Sequence, residues 1–347
     1  MYKGIMAGVG LACLVMSGHA AYAEGRPAAG KLAEVQKRGA LRCPAHTGSQ
    51  LGFAQVDGTG NWTGFDIDMC RVFATAIFGT YEGHLDLIPI SWAQRWPALQ
   101  SGELDVVIKQ SGWTQSRDTE LGFNASRPYI IGTFQVMTHK ELGAAHITDL
   151  DGGSICAPAG STNERVIAEY AAAKGISLET VSYEKWEELL SAYFEGRCDG
   201  IIGTASTLAV SRMNAKTPDD QLILPDVVSL EAQVWYVKEG DDQWEDIANW
   251  ALNALWFAEQ EGITSKNVDE IRANPPSAAI ATMLGTTPGV GKRLGLPDDW
   301  AYNVIKVNGN YSEIWERDLG MESAFRLERG INALWKDGGV HYPVAFD

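Results

Sequence analysis

The pattern that most limits this fold is an alternation of strand-like and helix-like segments that runs, breaks off and starts again. "GALRCPA" reads as a strand after a short polar helix over 31–38. "FDIDMCRVFATAIFG" carries Ile67, Val72, Ala76 and Ile77 near helical spacing and stops at Gly79. "HLDLIPI" reads as a strand, "WAQRWPALQSG" as a short helix and "LDVVIKQ" as a strand. The second run gives strands at "GSICAPAG", "SLETVSY" and "CDGIIGT" and helices at "STNERVIAEYAAAKG", "EKWEELLSAYFEG" and "STLAVSRM". Ser161 or Thr162 is the expected N-cap of the first of these helices, and Glu164, three residues after Ser161, suits a capping box. Such alternation predicts α/β units around a largely parallel sheet.

Two β-branched and aromatic runs, "PYIIGTFQVMTHK" and "EAQVWYVKEG", bracket the second series. They read as strands crossing between two lobes. The chain leaves lobe 1 near Gln135, builds lobe 2 and returns near Trp235. "DDQWEDIANWALNALWFAEQEG" then predicts an amphipathic helix with Ile247, Trp250, Ala251, Ala254, Leu255 and Ala258 on one stripe. The last eighty or so residues read as helical, loop-rich and packed onto lobe 1. The expected division is lobe 1 over 24–135 and 237–347, and lobe 2 over 136–236. There is no internal repeat and no low-complexity linker.

Residues 1–23, "MYKGIMAGVGLACLVMSGHAAYA", combine an early Lys, a short apolar run and Ala21-Tyr22-Ala23, which reads as a signal peptide cleaved after Ala23. The run is too short for a comfortable membrane span. The formal charge is −16, and loss of Lys3 with the leader takes it to about −17. A chain this acidic repels nucleic acid and anionic lipid. Beyond the leader four cysteines remain, an even number in an oxidising compartment. They fall into an early and a middle pair, so Cys43–Cys70 and Cys156–Cys198 are the expected disulfides, one per lobe, among three possible connectivities. No Cys-x₂-Cys spacing or His cluster points to a metal.

Eight segments in order, "RGALRC", "GNWTGFDIDMCR", "WPALQSGELDVV", "WTQSRDTELGF", "GSTNE", "YFEGRCDG", "GDDQWEDIANW" and "GNYSEIWER", span nearly the whole chain after the leader. On these the chain resembles the family 3 periplasmic solute-binding proteins of polar amino-acid ABC transporters, nearest their general L-amino-acid-binding branch. The resemblance implies an α/β, two-lobed type II periplasmic binding protein with two crossing hinge strands and a helical C-terminal extension. It implies a monomer that closes on a small carboxylate-bearing ligand, an amino acid or analogue, and presents it to an ABC transporter permease. It implies no cofactor.

The same resemblance makes Arg117 the grip on the ligand's α-carboxylate, for which a guanidinium offers paired donors. Ser161 and Thr162, at a predicted helix start, offer exposed N–H groups to the same anion from lobe 2. Trp92 matches an aromatic pocket wall, Trp113 is a second candidate, and Gln50 or Phe53 stands where the family carries another aromatic. Two positions depart from the family. Gly112 replaces a Thr or Ser five residues before the Arg, and Thr204 replaces an Asp that pairs with the ligand's ammonium. A hydroxyl accepts a hydrogen bond from an ammonium but does not neutralise it, so the expected ligand keeps its carboxylate while its α-ammonium stays open. A substitute carboxylate such as Glu164 or Glu231 would restore the amino-acid reading.

Two other classes compete. One is a dehydratase-like enzyme on the same fold, for which Lys109 and the Glu residues not yet placed are the titratable candidates on the rim. The other is a ligand-independent partner of a periplasmic redox enzyme. "TPGVGKRLG" (287–295) resembles a phosphate loop but lacks the Ser/Thr after Lys292 and does not follow a clear strand.

Overall fold

A computed structural model describes Met1 and residues 28–347. The expected leader, apart from Met1, lies outside the described residues.

The first run of elements is α1 (Gly30–Arg38), β1 (Leu41–His46), β2 (Gln55–Val56), β3 (Trp62–Thr63), α2 (Phe65–Phe78), β4 (Leu85–Ile90), α3 (Arg95–Ser101), β5 (Val107–Gly112), α4 (Gln115–Thr119) and β6 (Phe123–Ala125). The first crossing strand is β7 (Ile130–His139). The second run is β8 (Ser154–Pro158), α5 (Thr162–Lys174), β9 (Glu179–Tyr183), α6 (Trp186–Phe194), β10 (Gly200–Thr204), α7 (Ala205–Met213) and β11 (Gln221–Ile223). The chain returns through β12 (Ser229–Lys238) into the long α8 (Asp242–Gln260). Five short helices follow: α9 (Val268–Ala273), α10 (Ala278–Met283), α11 (Val290–Leu294), α12 (Trp300–Asn308) and α13 (Tyr311–Asp318).

α2 ends where the sequence says it must. Gly79 takes a left-handed conformation (φ 80°) and its N–H closes on the Thr75 carbonyl. The start of α5 departs from the expected capping box. Ser161 is the N-cap residue, yet its hydroxyl donates to the Pro158 carbonyl (2.6 Å), and Glu164 accepts from the Gly160 N–H (2.7 Å) instead. The glutamate reaches one residue further back than a capping box requires, and the serine hydroxyl is engaged outside the helix. The phosphate-loop look-alike is likewise filled from within: Gly289 and Gly291 N–H groups donate to the Asp298 carboxylate at 2.9 and 3.1 Å.

Among the described strands, parallel pairing is confined to the β-α-β units, with one isolated parallel bridge at Leu334–His341. β1 runs parallel to β4, and β8 parallel to both β9 and β10. The eight-stranded sheet has the order β5-β12-β7-β10-β8-β9, with β6 and β11 on its flanks. Here β12 is antiparallel to β5, β6 and β7, and β7 antiparallel to β10. The expected largely parallel sheet is therefore mixed. One crossing strand leaves a lobe and the other re-enters it, so they run in opposite directions through the middle.

The cores follow the strand period. Along β7, Phe134 and Val136 face one apolar cluster with Ile155, Ile167 and Ile202. Met137 faces another with Cys156, Leu189, Tyr193 and Ile201. Successive residues of a strand point to opposite faces, so one sheet serves two layers of helix. The largest core joins Val35, Phe73 and Val106 to Trp235, Leu255, Trp300 and Trp315. α8 is buried more broadly than its predicted stripe, with Trp244, Leu252, Trp256 and Phe257 also enclosed and Trp250 only partly so. The reason is that α12, α13 and Phe346 pack over its outer side. Cys43–Cys70 and Cys156–Cys198 are bonded, with Cα separations of 6.1 and 5.7 Å. Among the described residues no helix is long and apolar enough to cross a membrane.

Candidate functional site

The two lobes meet over a small space. Lobe 1 contributes Gln50, Trp92 and Gln110; lobe 2 contributes Trp186 and Thr204; Phe134 comes from the crossing strand β7, and Glu231 and Gln233 come from β12. The space left between them is about 20 Å³, room for about one water. The lobes touch around it. The Ser49 N–H donates to Glu187 (2.8 Å), the Thr207 hydroxyl donates to Gln110 Oε1 (3.3 Å), and Gly160 lies so close to Ala93 that a Cβ there would be 3.2 Å from the Ala93 Cα. A ligand larger than water enters only after the lobes part.

Arg117 stands on α4, whose N-cap Thr114 accepts from the Arg117 N–H (3.4 Å). The side chain is 7 % exposed. One guanidinium nitrogen donates to the Gly112 carbonyl (2.6 Å), and the group lies over the Trp96 ring at 4.6 Å. Arg95 covers the same ring at 4.3 Å and is buried, with its Nε unpartnered. Burial lowers both guanidinium pKa values. Among the described residues Arg117 is thus a buried cation held by the Gly112 carbonyl and the Tyr236 hydroxyl rather than by a surface carboxylate.

The residue that answers it is Glu231. Burial raises its carboxyl above the usual range, while the Thr162 hydroxyl, Arg117, Gln233 and Arg95 favour the charged form. Thr162 therefore faces the same group as Arg117, from the first turn of α5. Ser161 is turned away to Pro158. Gly112 provides the space in which Glu231 lies, since a Cβ there would fall 1.9 Å from Glu231 Oε1. Thr204 caps α7 by accepting from the Thr207 N–H (3.4 Å), and its hydroxyl bonds Thr207 Oγ1 (2.9 Å). Trp92 and Gln50 line the space. Phe53 is buried in the lobe 1 core instead, so of the two candidates the structure turns Gln50 into the cleft. Trp113 is 50 % exposed and lines a separate surface depression with Arg127 and Tyr342. Glu164 lies on the surface of α5, engaged by Gly160 and Ser182.

Behind the wall lies a polar network of which sequence reading singles out Lys109 alone. Gln110 holds φ at 35°, a conformation L-residues rarely adopt, and such strain collects at functional sites. Its N–H donates to the Tyr129 hydroxyl (3.1 Å), which donates to Asp66 Oδ1 (2.6 Å). Burial pushes the Asp66 carboxyl up to about 7. Lys109 Nζ donates to the Ala45 carbonyl (3.3 Å) and sits 4.9 Å from the Trp92 ring centre. Burial, with Arg95 nearby, lowers its pKa well below the ordinary lysine value. His46 packs edge-on against Trp92 (5.1 Å) and is held neutral by burial and by Lys109. The signal that could have found these residues is the polar run Lys109-Gln110-Ser111 inside an otherwise apolar strand.

The model of the bacterial extracellular solute-binding proteins, family 3, matches residues 45–261. The chain is 40% identical over 343 residues to the general L-amino acid-binding periplasmic protein AapJ of Rhizobium johnstonii, covering 98% of each chain. It is 35% identical to the glutamate/glutamine/aspartate/asparagine-binding protein BztA of Rhodobacter capsulatus, covering 94% of this chain and 96% of that one. Among solved structures, an ABC transporter periplasmic binding protein from Brucella ovis with glutathione bound superposes with a TM-score of 0.87 at 38% identity, covering 92% of this chain and all of that one.

Proposed function

The chain belongs to the family 3 bacterial extracellular solute-binding proteins, and from that premise we propose that Arg117 anchors the carboxylate of an amino acid or related small acid in the cleft between the lobes. The protein then delivers that ligand to the permease of an ABC importer. Arg117 carries this reading. It is a buried cation whose charge acts on Glu231, a carboxyl that Thr162 in the first turn of α5 also engages. Helix N–H groups and a guanidinium together suit one carboxylate. The bond that spans both lobes couples binding to closure.

The relatives named above are binding proteins, and the reading here is binding without turnover. Lobe 1 comprises residues 24–135 and 237–347, lobe 2 residues 136–236, and the leader is removed after Ala23 on export to the periplasm. A γ-glutamyl compound is within the expected ligand range, because the Brucella ovis protein was solved with glutathione. Arg117→Ala is expected to abolish the thermal shift given by amino acids and glutathione to the wild-type protein. Undiminished binding by the variant would remove Arg117 as the anchor. Product formed from any bound acid would move the protein to the enzyme class.

A further inference from the structure

The chain after residue 261 lies beyond the stretch matched by the family model. Part of it holds the first crossing strand and the residues that lead into it. A guanidinium nitrogen of Arg127 donates to the Tyr342 carbonyl, and the Tyr311 hydroxyl donates to the Tyr129 carbonyl (2.7 Å). At Ile131 the hold is double. The Ile131 N–H donates to Asn332 Oδ1 (2.7 Å), and Asn332 Nδ2 donates to the Ile131 carbonyl (2.9 Å). A side-chain amide carries both a donor and an acceptor, so buried Asn332 stands in for a residue of a neighbouring strand. Its own carbonyl accepts from Arg329 (2.8 Å), and Arg329 pairs with Glu259 of α8 (2.6 Å). Positions 127, 129 and 131 are thereby tied to the body of lobe 1.

The ties stop at one line across both crossing strands. Ile131 pairs with Ala232 of β12, whose carbonyl accepts from the Trp113 N–H of lobe 1 (2.8 Å). The next pairs are Gly132 with Glu231 and Thr133 with Leu230. From Phe134 onward β7 pairs with β10 of lobe 2. Gly132 is the first residue past the clamp, and glycine has the widest backbone freedom. Thr204 of lobe 2 packs against it, since a Cβ at position 132 would fall 3.1 Å from Thr204 Cγ2.

We propose that Asn332 is a positioning residue for closure: it ends the rigid body of lobe 1 at Ile131 and confines the bend in the first crossing strand to Gly132 and Thr133. The inference rests on the reading that the lobes close on a ligand, and not on Arg117 as the anchor. Hinges are a few residues that absorb the change in backbone angles. With the bend confined, the open protein keeps few arrangements, and most of them lead to the closed one. Without Asn332 the strand also flexes at Tyr129–Ile131. The open state gains arrangements that do not close, and apparent affinity falls with the competent fraction. Re-ordering the backbone of one residue corresponds to about tenfold.

The test compares the full protein with its N332A and Y311F variants, using L-glutamate, L-glutamine and glutathione as probes. Calorimetry is expected to show about tenfold weaker binding by N332A. Stopped-flow tryptophan fluorescence is expected to place that loss in the association rate, with release within about twofold of wild type. Y311F keeps the ring and removes one bond, and its association is expected to slow about threefold. A role in stability alone would lower the urea midpoint of both variants and leave their binding rates unchanged, and that result would overturn the proposal. A loss confined to release would also overturn it. Should N332A not fold, Y311F decides by the same criterion. A second measurement needs no ligand: pulsed EPR between spin labels at Lys37→Cys on α1 and Ala172→Cys on α5. The distance distribution is expected to broaden when N332A is added, and equal widths would sink the idea. If wild type binds none of the probes, the ligand reading fails and the label distances still decide the hinge.

Discussion

At the scale of single residues, Gly112 and Glu231 form a pair in which one residue's absence of side chain is the other's room. Gly112→Ala adds one carbon where Glu231 Oε1 lies. Overpacking of this kind typically destabilises by about 1–3 kcal/mol. Urea unfolding is expected to show that loss in the wild-type background and to show it largely gone in a Glu231→Ala background, since contacting residues are not additive. Asp66 makes a separate prediction about pH. Its folded pKa of about 7 lies above the ordinary carboxylate value, so the native state holds the proton longer than the unfolded chain. Its contribution is therefore most favourable below pH about 4 and is lost as pH rises towards about 7. Asp66→Asn removes that loss while keeping an acceptor for the Tyr129 hydroxyl. Relative to wild type, the stability of the variant is expected to climb between pH 4 and 7 by up to a few kcal/mol, then level off. Parallel pH profiles of the two proteins would show that Asp66 does not titrate there.

At the scale of elements, β12 holds the site together. It pairs with β5 and β7, so it fixes Gly112 of lobe 1, Phe134 of the other crossing strand and Glu231 in one register. The disulfides act locally around this hinge. Cys43–Cys70 ties β1 to α2 across 27 residues, and Cys156–Cys198 ties β8 to the approach of β10 across 42. By loop-closure entropy each stabilises by about 3–4 kcal/mol. Replacing either pair by alanine is expected to lower the free energy of unfolding by about that amount. A change under about 1 kcal/mol would show the bridge to be redundant to the packing around it.

At the scale of the whole molecule, closure rests on few interlobe contacts, among them the Ser49–Glu187 hydrogen bond at the cleft mouth. A hydrogen bond near the surface is worth about 0.5–1.5 kcal/mol, a factor of about 2–10. Glu187→Ala is expected to speed ligand release by that factor, read by stopped-flow tryptophan fluorescence, with little change in the association rate. An unchanged release rate would place the closure energy elsewhere. The small volume fits a machine whose binding energy goes partly into closing.

The alternating segments, the interruption of one lobe by another and the cysteine pairs were legible in the chain, because each is carried by residues near one another or by a repeated local pattern; the role proposed for Arg117 came from the family resemblance and not from its neighbours in sequence. What the tertiary structure alone decided depends on register. Glu231 and Gly112 stand 119 positions apart in sequence, and only the β12–β5 ladder sets them face to face. The same holds for Gln50 entering the cleft while Phe53 fills the core, and for Trp113 facing away from the site. Local patterning says that a strand or helix forms and which of its residues are apolar. It does not say which distant strand it pairs with, because that choice is made by long-range packing and by the volume left between side chains once the cores have closed.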